Sequence, residues 1–215
     1  MEDTGAPVFS LDEVGRGPLW GPVVAAAVVL PLECPDDNPL WKAIRDSKKV
    51  SEKKRPLVAE YIKSIAISYG IGEADSQEID DVNILQATMR AMHRAMDVAW
   101  RKCPPDAIPS LIKVDGPHFV PYTPPGMDTE SIDHMCIVDG DSLDRGIAAA
   151  SIIAKVHRDE WIIKYASENP EVAPYHLDKN KGYGTAVHMA ALKTAGVHPL
   201  HRRSFAPVRR ALGGY

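Results

Sequence analysis

The feature that most constrains this chain is the uninterrupted apolar run Val23-Val24-Ala25-Ala26-Ala27-Val28-Val29-Leu30. It is far too short to cross a bilayer, which takes about 20 apolar residues in a helix. Rich in β-branched side chains, it reads as a buried strand. Before it, the short apolar stretch Pro7 to Leu11 leads into Asp12-Glu13, and Gly15, Gly17 and Pro18 punctuate a turn. Two strands joined by a glycine-rich turn follow from that pattern.

The remaining segments can be read in the same way. Ser51 and Lys54, followed by Leu57, Val58, Tyr61, Ile62 and Ile65, predict a capped amphipathic helix. Ile67 to Ile71 reads as a third strand. In the long segment Ser76 to Lys102, Ile84, Leu85, Thr88, Met89, Met92 and Met96 recur at helical spacing, and such a methionine stripe is core packing. Leu111 to Val114 and Met135 to Val138 read as strands ending in Asp115-Gly116 and Asp139-Gly140-Asp141. Ile147 to Tyr165 and Thr185 to Ala195 read as helices. The order β-β-α-β-α-β-β-α-α predicts a single α/β domain over residues 1–215, with a mixed sheet and a helical C-terminal part from about residue 168. A 45% hydrophobic content supplies its core. Three well-separated cysteines without CxxC spacing argue against a zinc site or a disulfide framework and for a reducing compartment. The acidic start Met1-Glu2-Asp3 has no signal-peptide pattern, so a cytoplasmic location is expected.

The formal net charge of −4 conceals segregation. Lys42 to Arg55 holds seven Lys/Arg against two acids, and Lys181 to the end holds six Lys/Arg and no acid. Two basic segments on an acidic body can track a phosphate backbone; they are equally what solvated helix faces look like.

Asp12, Glu13, Asp115 and Asp141 fall at or just after strand ends. Four carboxylates gathered at one sheet edge would repel, and divalent cations supply the compensation. An oxygen-only donor set favours Mg²⁺ or Mn²⁺ over Zn²⁺. Such a cluster builds a two-metal phosphodiesterase, although strand-end aspartates also commonly start turns or cap helices. Asp12 and Glu13 are adjacent, so in a regular strand they face opposite ways; both reach one site only where the strand ends, bulges or twists.

Several blocks go further. Asp12-Glu13-Val14-Gly15-Arg16-Gly17-Pro18-Leu19 with Gly21-Pro22-Val23-Val24-Ala25-Ala26-Ala27, then Asp46-Ser47-Lys48-Lys49, Asn83-Ile84-Leu85-Gln86-Ala87-Thr88-Met89, Ile147-Ala148-Ala149-Ala150-Ser151-Ile152-Ile153-Ala154-Lys155-Val156, Lys181-Gly182-Tyr183 and His201-Arg202-Arg203-Ser204-Phe205 occur in order across nearly the whole chain. Together they resemble the ribonuclease HII family. The resemblance implies a ribonuclease H-like five-stranded mixed sheet flanked by helices, with a helical C-terminal extension that helps bind substrate. It implies cleavage of the RNA strand of RNA/DNA hybrids, and 5′ of a ribonucleotide embedded in duplex DNA, leaving a 3′-hydroxyl and a 5′-phosphate. Roles in ribonucleotide excision repair and RNA primer removal go with that activity. Asp12, Glu13, Asp115 and Asp141 fall on the family's metal carboxylates, with Asp139 left to turn chemistry. Gly15, Arg16 and Gly17 match the motif that senses the ribose 2′-hydroxyl, the group that separates RNA from DNA. Tyr183 matches a tyrosine packed against the deoxyribose beyond the scissile bond; without the resemblance it reads as a core or interface aromatic. Ser47, Lys48 and Lys49 match a phosphate-contacting segment. Ser151, Lys155 and Arg158 border the site, with Ser151 counted among the substrate-binding residues, and Arg202 and Arg203 are assigned to bracing the C-terminal part.

Three positions depart from the family pattern. Pro117 stands where asparagine usually follows Asp-Gly, so the Pro-rich loop through Pro125 must differ; Trp20 and His157 replace residues that are commonly smaller or threonine. A DNA-specific nuclease of the same superfamily is the alternative, against which Gly15-Arg16-Gly17 and Tyr183 weigh. A ribonuclease HIII-like enzyme would carry an extra N-terminal domain, whereas eleven residues precede Asp12, and a non-catalytic module would not need four carboxylates. A monomer is expected, with protein partners open.

Overall fold

The computed structural model describes residues 6–33, 38–44, 50–126 and 131–214. Its centre is a five-stranded sheet in the order β3-β2-β1-β4-β5. Strands β1 (Val8–Val14), β2 (Val23–Val29) and β3 (Ser68–Ala74) form an antiparallel meander. β4 (Leu111–Asp115) lies parallel to β1, and β5 (Asp133–Ile137) parallel to β4. All seven residues of β2 are buried, because β2 sits in mid-sheet between two layers of helices.

Alternate residues of β2 feed the two cores. Val23, Ala25, Ala27 and Val29, with Phe9, Leu11, Ile112 and Val114, pack against α3 (Ser76–Lys102). Val24, Ala26 and Val28 face α1 (Pro39–Ile44), α2 (Arg55–Ile65) and α5 (Arg145–Glu168). The expected Met89–Met92–Met96 stripe is buried in the first core. Beside it runs a seam the hydrophobic pattern did not reveal: α3 lies almost on the backbone of β3. A Cβ on Gly72 would stand 2.1 Å from the Ala91 carbonyl oxygen, and one on Gly70 2.1 Å from that of Ala95.

Two helix starts differ from expectation. α2 begins at Arg55, after Lys54, with no side-chain cap from Lys54; among the described residues Ser51 takes part through its carbonyl, which accepts from Lys54 N and Arg55 N. Within α3, Asn83 takes φ 71° and ψ 162°, breaking the helix, and its side chain recaps the second part by accepting from Leu85 N and Gln86 N. Such non-helical geometry in a non-glycine residue costs about 1–3 kcal/mol.

The C-terminal part is helical, as expected, and made of short pieces: α6 (Leu177–Asn180), α7 (Ala186–Thr194, capped by Thr185) and α8 (Ala206–Ala211), preceded by a 3-10 turn at Pro170–Tyr175. Trp20, fully buried, holds this part to the body by meeting the rings of Trp161, Tyr165 and His198. The Pro-rich loop after β4 folds back on α3. Phe119 and Tyr122 are buried, and the Tyr122 hydroxyl donates to Asp97 at 2.8 Å.

Candidate active site

The parallel strands β1 and β4 part company at their C-terminal ends. Their pairing stops at Leu11–Val114, while β1 continues against β2 through Val14 with no inserted residue. The strand therefore does not bulge at Glu13; the sheet opens on the β4 side instead, and Asp12, Glu13 and Asp115 stand around that opening. Asp141 arrives on α4 (Gly140–Leu143), whose first N–H, that of Gly140, donates to Asp115 Oδ1 at 2.7 Å. Asp139 sits exposed in left-handed backbone (φ 56°), the turn position expected for it.

These carboxylates are in electrostatic conflict. Asp12 is only 5% exposed. Burial first, then the neighbouring charges of Glu13 and Asp115, push its carboxyl well above the usual carboxylate range, against the lowering effect of a Ser151 hydrogen bond. Burial also raises Glu13, opposed by Arg16, whose guanidinium lies 3.2 Å from Glu13 Oε1. Asp115 is raised by burial and by the charge of Asp141, opposed by the Gly140 N–H. A cleft of about 180 Å³ runs past Glu13, Asp141 and Ser151 and is bordered by Arg55 and Lys155.

Among the described residues no three His, Cys, Asp or Glu side chains close around one point as a finished metal cage. The donor set nevertheless fits a hard divalent cation. It is all oxygen, it carries excess negative charge, and much of it is desolvated, which an added cation relieves.

Beside the carboxylates, Tyr183 meets the glycine-rich turn. The residue is 43% exposed, and Tyr183 Cε1 lies 3.6 Å from where a Cβ on Gly17 would be. The turn is tied to the tyrosine's segment by Leu19 N donating to Gly182 O at 2.8 Å. Asp12, Glu13, Asp115, Asp141 and Ser151 thus share one site, and Gly15, Arg16, Gly17 and Tyr183 form its neighbour. Ser47, Lys48 and Lys49 lie outside the described residues.

Two arginines hold the turn from beneath. Arg202 is fully buried and donates to the carbonyls of Gly21 (2.9 Å), Arg16 (3.0 Å) and Gly15 (2.6 Å). Arg158, equally buried, donates to Pro22 O, Lys181 O and Trp20 O. Arg202 thus braces the glycine-rich turn as well as the C-terminal part. A lone arginine has no sequence pattern that announces such burial. Trp20 and His157, two of the departures from the family pattern, have their partners away from Asp12, Glu13, Asp115 and Asp141: Trp20 meets aromatic rings and His157 pairs with Glu73.

A mixed sheet of this order, flanked by helices and with carboxylates at the opening between two parallel strands, defines a ribonuclease H-like protein. Two solved structures share the fold. Ribonuclease H2 from Pyrococcus horikoshii OT3 aligns over 95% of this chain and 96% of its own, with a TM-score of 0.66 at 22% identity. Bst-RNase HIII in complex with Mn²⁺ aligns over 97% of this chain and 70% of its own, with a TM-score of 0.76 at 19% identity. Residues 10–208 match the family model of ribonuclease HII. Ribonuclease HII of Paramagnetospirillum magneticum is 46% identical over 207 residues, spanning 96% of this chain and 93% of that one. The chain belongs to the ribonuclease HII family, and with it to the metal-dependent ribonucleases that act on RNA/DNA.

Proposed function

We propose that this protein cuts the RNA strand of RNA/DNA hybrids, and cuts 5′ of a ribonucleotide embedded in duplex DNA. The observation that carries this reading is the juxtaposition of a desolvated carboxylate cluster with an aromatic ring lying against a glycine-rich turn. The first can manage metal-assisted phosphodiester chemistry; the second can feel a sugar.

Asp12, Glu13, Asp115 and Asp141 would hold two Mg²⁺ or Mn²⁺ ions. Bound there, the ions would help deprotonate a water and stabilise the leaving oxygen. The water oxygen forms a bond to phosphorus as the bond from phosphorus to the 3′-oxygen breaks, leaving a 3′-hydroxyl and a 5′-phosphate. Ser151 steadies the Asp12 carboxylate through its hydrogen bond. Gly15, Arg16 and Gly17 read the 2′-hydroxyl through backbone groups, and Tyr183 packs on the adjoining deoxyribose. Ser47, Lys48 and Lys49, within the basic stretch from Lys42 to Arg55, serve the phosphate backbone. Residues 1–215 act as one monomeric catalytic domain in the cytoplasm, with about 168–215 helping to bind substrate. Removal of misincorporated ribonucleotides and RNA primers follows from that specificity.

The direct test of the carboxylate assignment is Asp12→Asn. It should reduce cleavage with Mg²⁺ or Mn²⁺ to background while leaving duplex binding within a few-fold of the parent, as expected for loss of a group used in the transition state. Undiminished turnover would remove Asp12 from the site.

A further inference from the structure

The two buried arginines under the glycine-rich turn are oriented in a way that has a consequence at the surface. In a trans peptide unit the C=O of one residue and the N–H of the next point in opposite directions. Arg202 draws the carbonyls of Gly15 and Arg16 inward. The N–H groups of Arg16 and Gly17 are therefore turned outward. Both residues are exposed, and among the described residues neither N–H donates to a protein acceptor. They emerge on the turn beside Tyr183.

Arg158 fixes the same turn from its other end through Trp20, Pro22 and Lys181. It also explains why position 15 must be glycine twice over. The residue has φ +91°, and a Cβ there would stand 2.3 Å from Arg158 Nε. Among the described residues neither guanidinium forms a salt bridge with a carboxylate, and burying two such charges is costly. What they gain is a set of carbonyls held in one arrangement, and a positive charge behind each peptide polarises its N–H toward the outside.

We propose that Arg202 is a positioning residue for sugar recognition: its buried guanidinium, backed by Arg158, aims the N–H groups of Arg16 and Gly17 outward beside Tyr183 as donors to a sugar 2′-oxygen. This rests on the reading that the turn senses the 2′-hydroxyl. Arginine is required because its planar fork reaches several carbonyls at once, whereas lysine offers a point charge.

The test uses the full chain carrying Asp12→Asn, so that bound duplex is not cut. Its affinity is measured for two DNA duplexes that differ only in one 2′-hydroxyl, with and without Arg202→Lys. The parent should prefer the ribonucleotide duplex. Arg202→Lys should shrink that preference by about tenfold, the equivalent of one good hydrogen bond, while affinity for the all-DNA duplex holds. A preference that survives Arg202→Lys overturns the proposal, as does an equal loss on both duplexes, which would mark the N–H groups as phosphate contacts. A parent that binds both duplexes equally defeats the sugar-sensing reading itself, whatever Arg202 does. If Arg202→Lys fails to fold, amide exchange in the Asp12→Asn chain decides. The Arg16 and Gly17 amides should be slowed by the ribonucleotide duplex and not by all-DNA duplex; indifference to both overturns the proposal.

Discussion

Asp12 is a carboxylate buried on a mid-sheet strand with Glu13 and Asp115 as neighbours. Burial raises its pKa, so its favourable contribution to folding is complete below the ordinary carboxylate value and is lost as pH rises through the raised one. The charged form of the group therefore burdens the cation-free protein. Asp12→Asn should raise stability in chelator at neutral pH by roughly 0.5–2 kcal/mol, the usual gain from a single stabilising substitution. Urea unfolding of both proteins checks this, and a less stable variant would contradict it. The four carboxylates stood out in the sequence as acids at strand ends, and the family resemblance, not that pattern alone, singled them out as metal ligands. Arg158 and Arg202 were not legible in their role, since nothing in the local sequence says that an arginine will be fully buried and bound to carbonyls as far as 187 residues away.

At the scale of elements, β2 and α3 were readable because one is an unbroken apolar run and the other a long periodic segment. What periodicity missed was the contact between α3 and β3, which depends on absence of side chains. Gly70 and Gly72 let the backbone of the Ala91–Ala95–Ala99 ridge approach within a distance no Cβ tolerates. Gly72→Ala should thus destabilise the fold by roughly 1–3 kcal/mol, the cost of overpacking, because the atom it strikes is backbone and cannot swing aside. A thermal midpoint unchanged by the substitution would contradict this packing. The Asn83 break was likewise invisible, since Asn83 lies inside a segment whose hydrophobic spacing continues across it. At Asp12-Glu13 the sequence posed the right question, how adjacent residues reach one site; the answer, strands separating rather than a bulge, needed the register of β1 against both neighbours.

On the scale of the whole molecule, the C-terminal part is coupled to the site through neutral histidines. His198 N–H donates to His201 Nδ1, which leaves the His201 proton on Nε2 facing His188 Nε2 at 2.9 Å; His188 Nδ1 then donates to Tyr183 O. Only neutral rings satisfy this chain. Burial lowers His188, and burial together with the His188 charge lowers His201 from the usual 6.5 to about 4. The unfolded chain takes up these protons first, so this contribution is intact above pH 6.5 and is lost as pH falls toward about 4. Unfolding midpoints should drop across that window, and His201→Gln should flatten the slope; an identical slope in the variant would show that His201 does not titrate this way. The site carboxylates act with the opposite sign, which is why the comparison needs the variant.

The segregated charge, the carboxylate opening and the turn beside Tyr183 converge on one claim, that this molecule recognises a ribonucleotide within DNA. The measurement that tests it most directly is incubation of the full chain with Mg²⁺ and a DNA duplex holding a single ribonucleotide, beside the same duplex in all-DNA form. A single cut 5′ of the ribonucleotide, leaving 3′-hydroxyl and 5′-phosphate ends, with the all-DNA duplex intact, is the predicted result. Cleavage of the all-DNA duplex at a similar rate would contradict it and make the protein a DNA nuclease of the same fold.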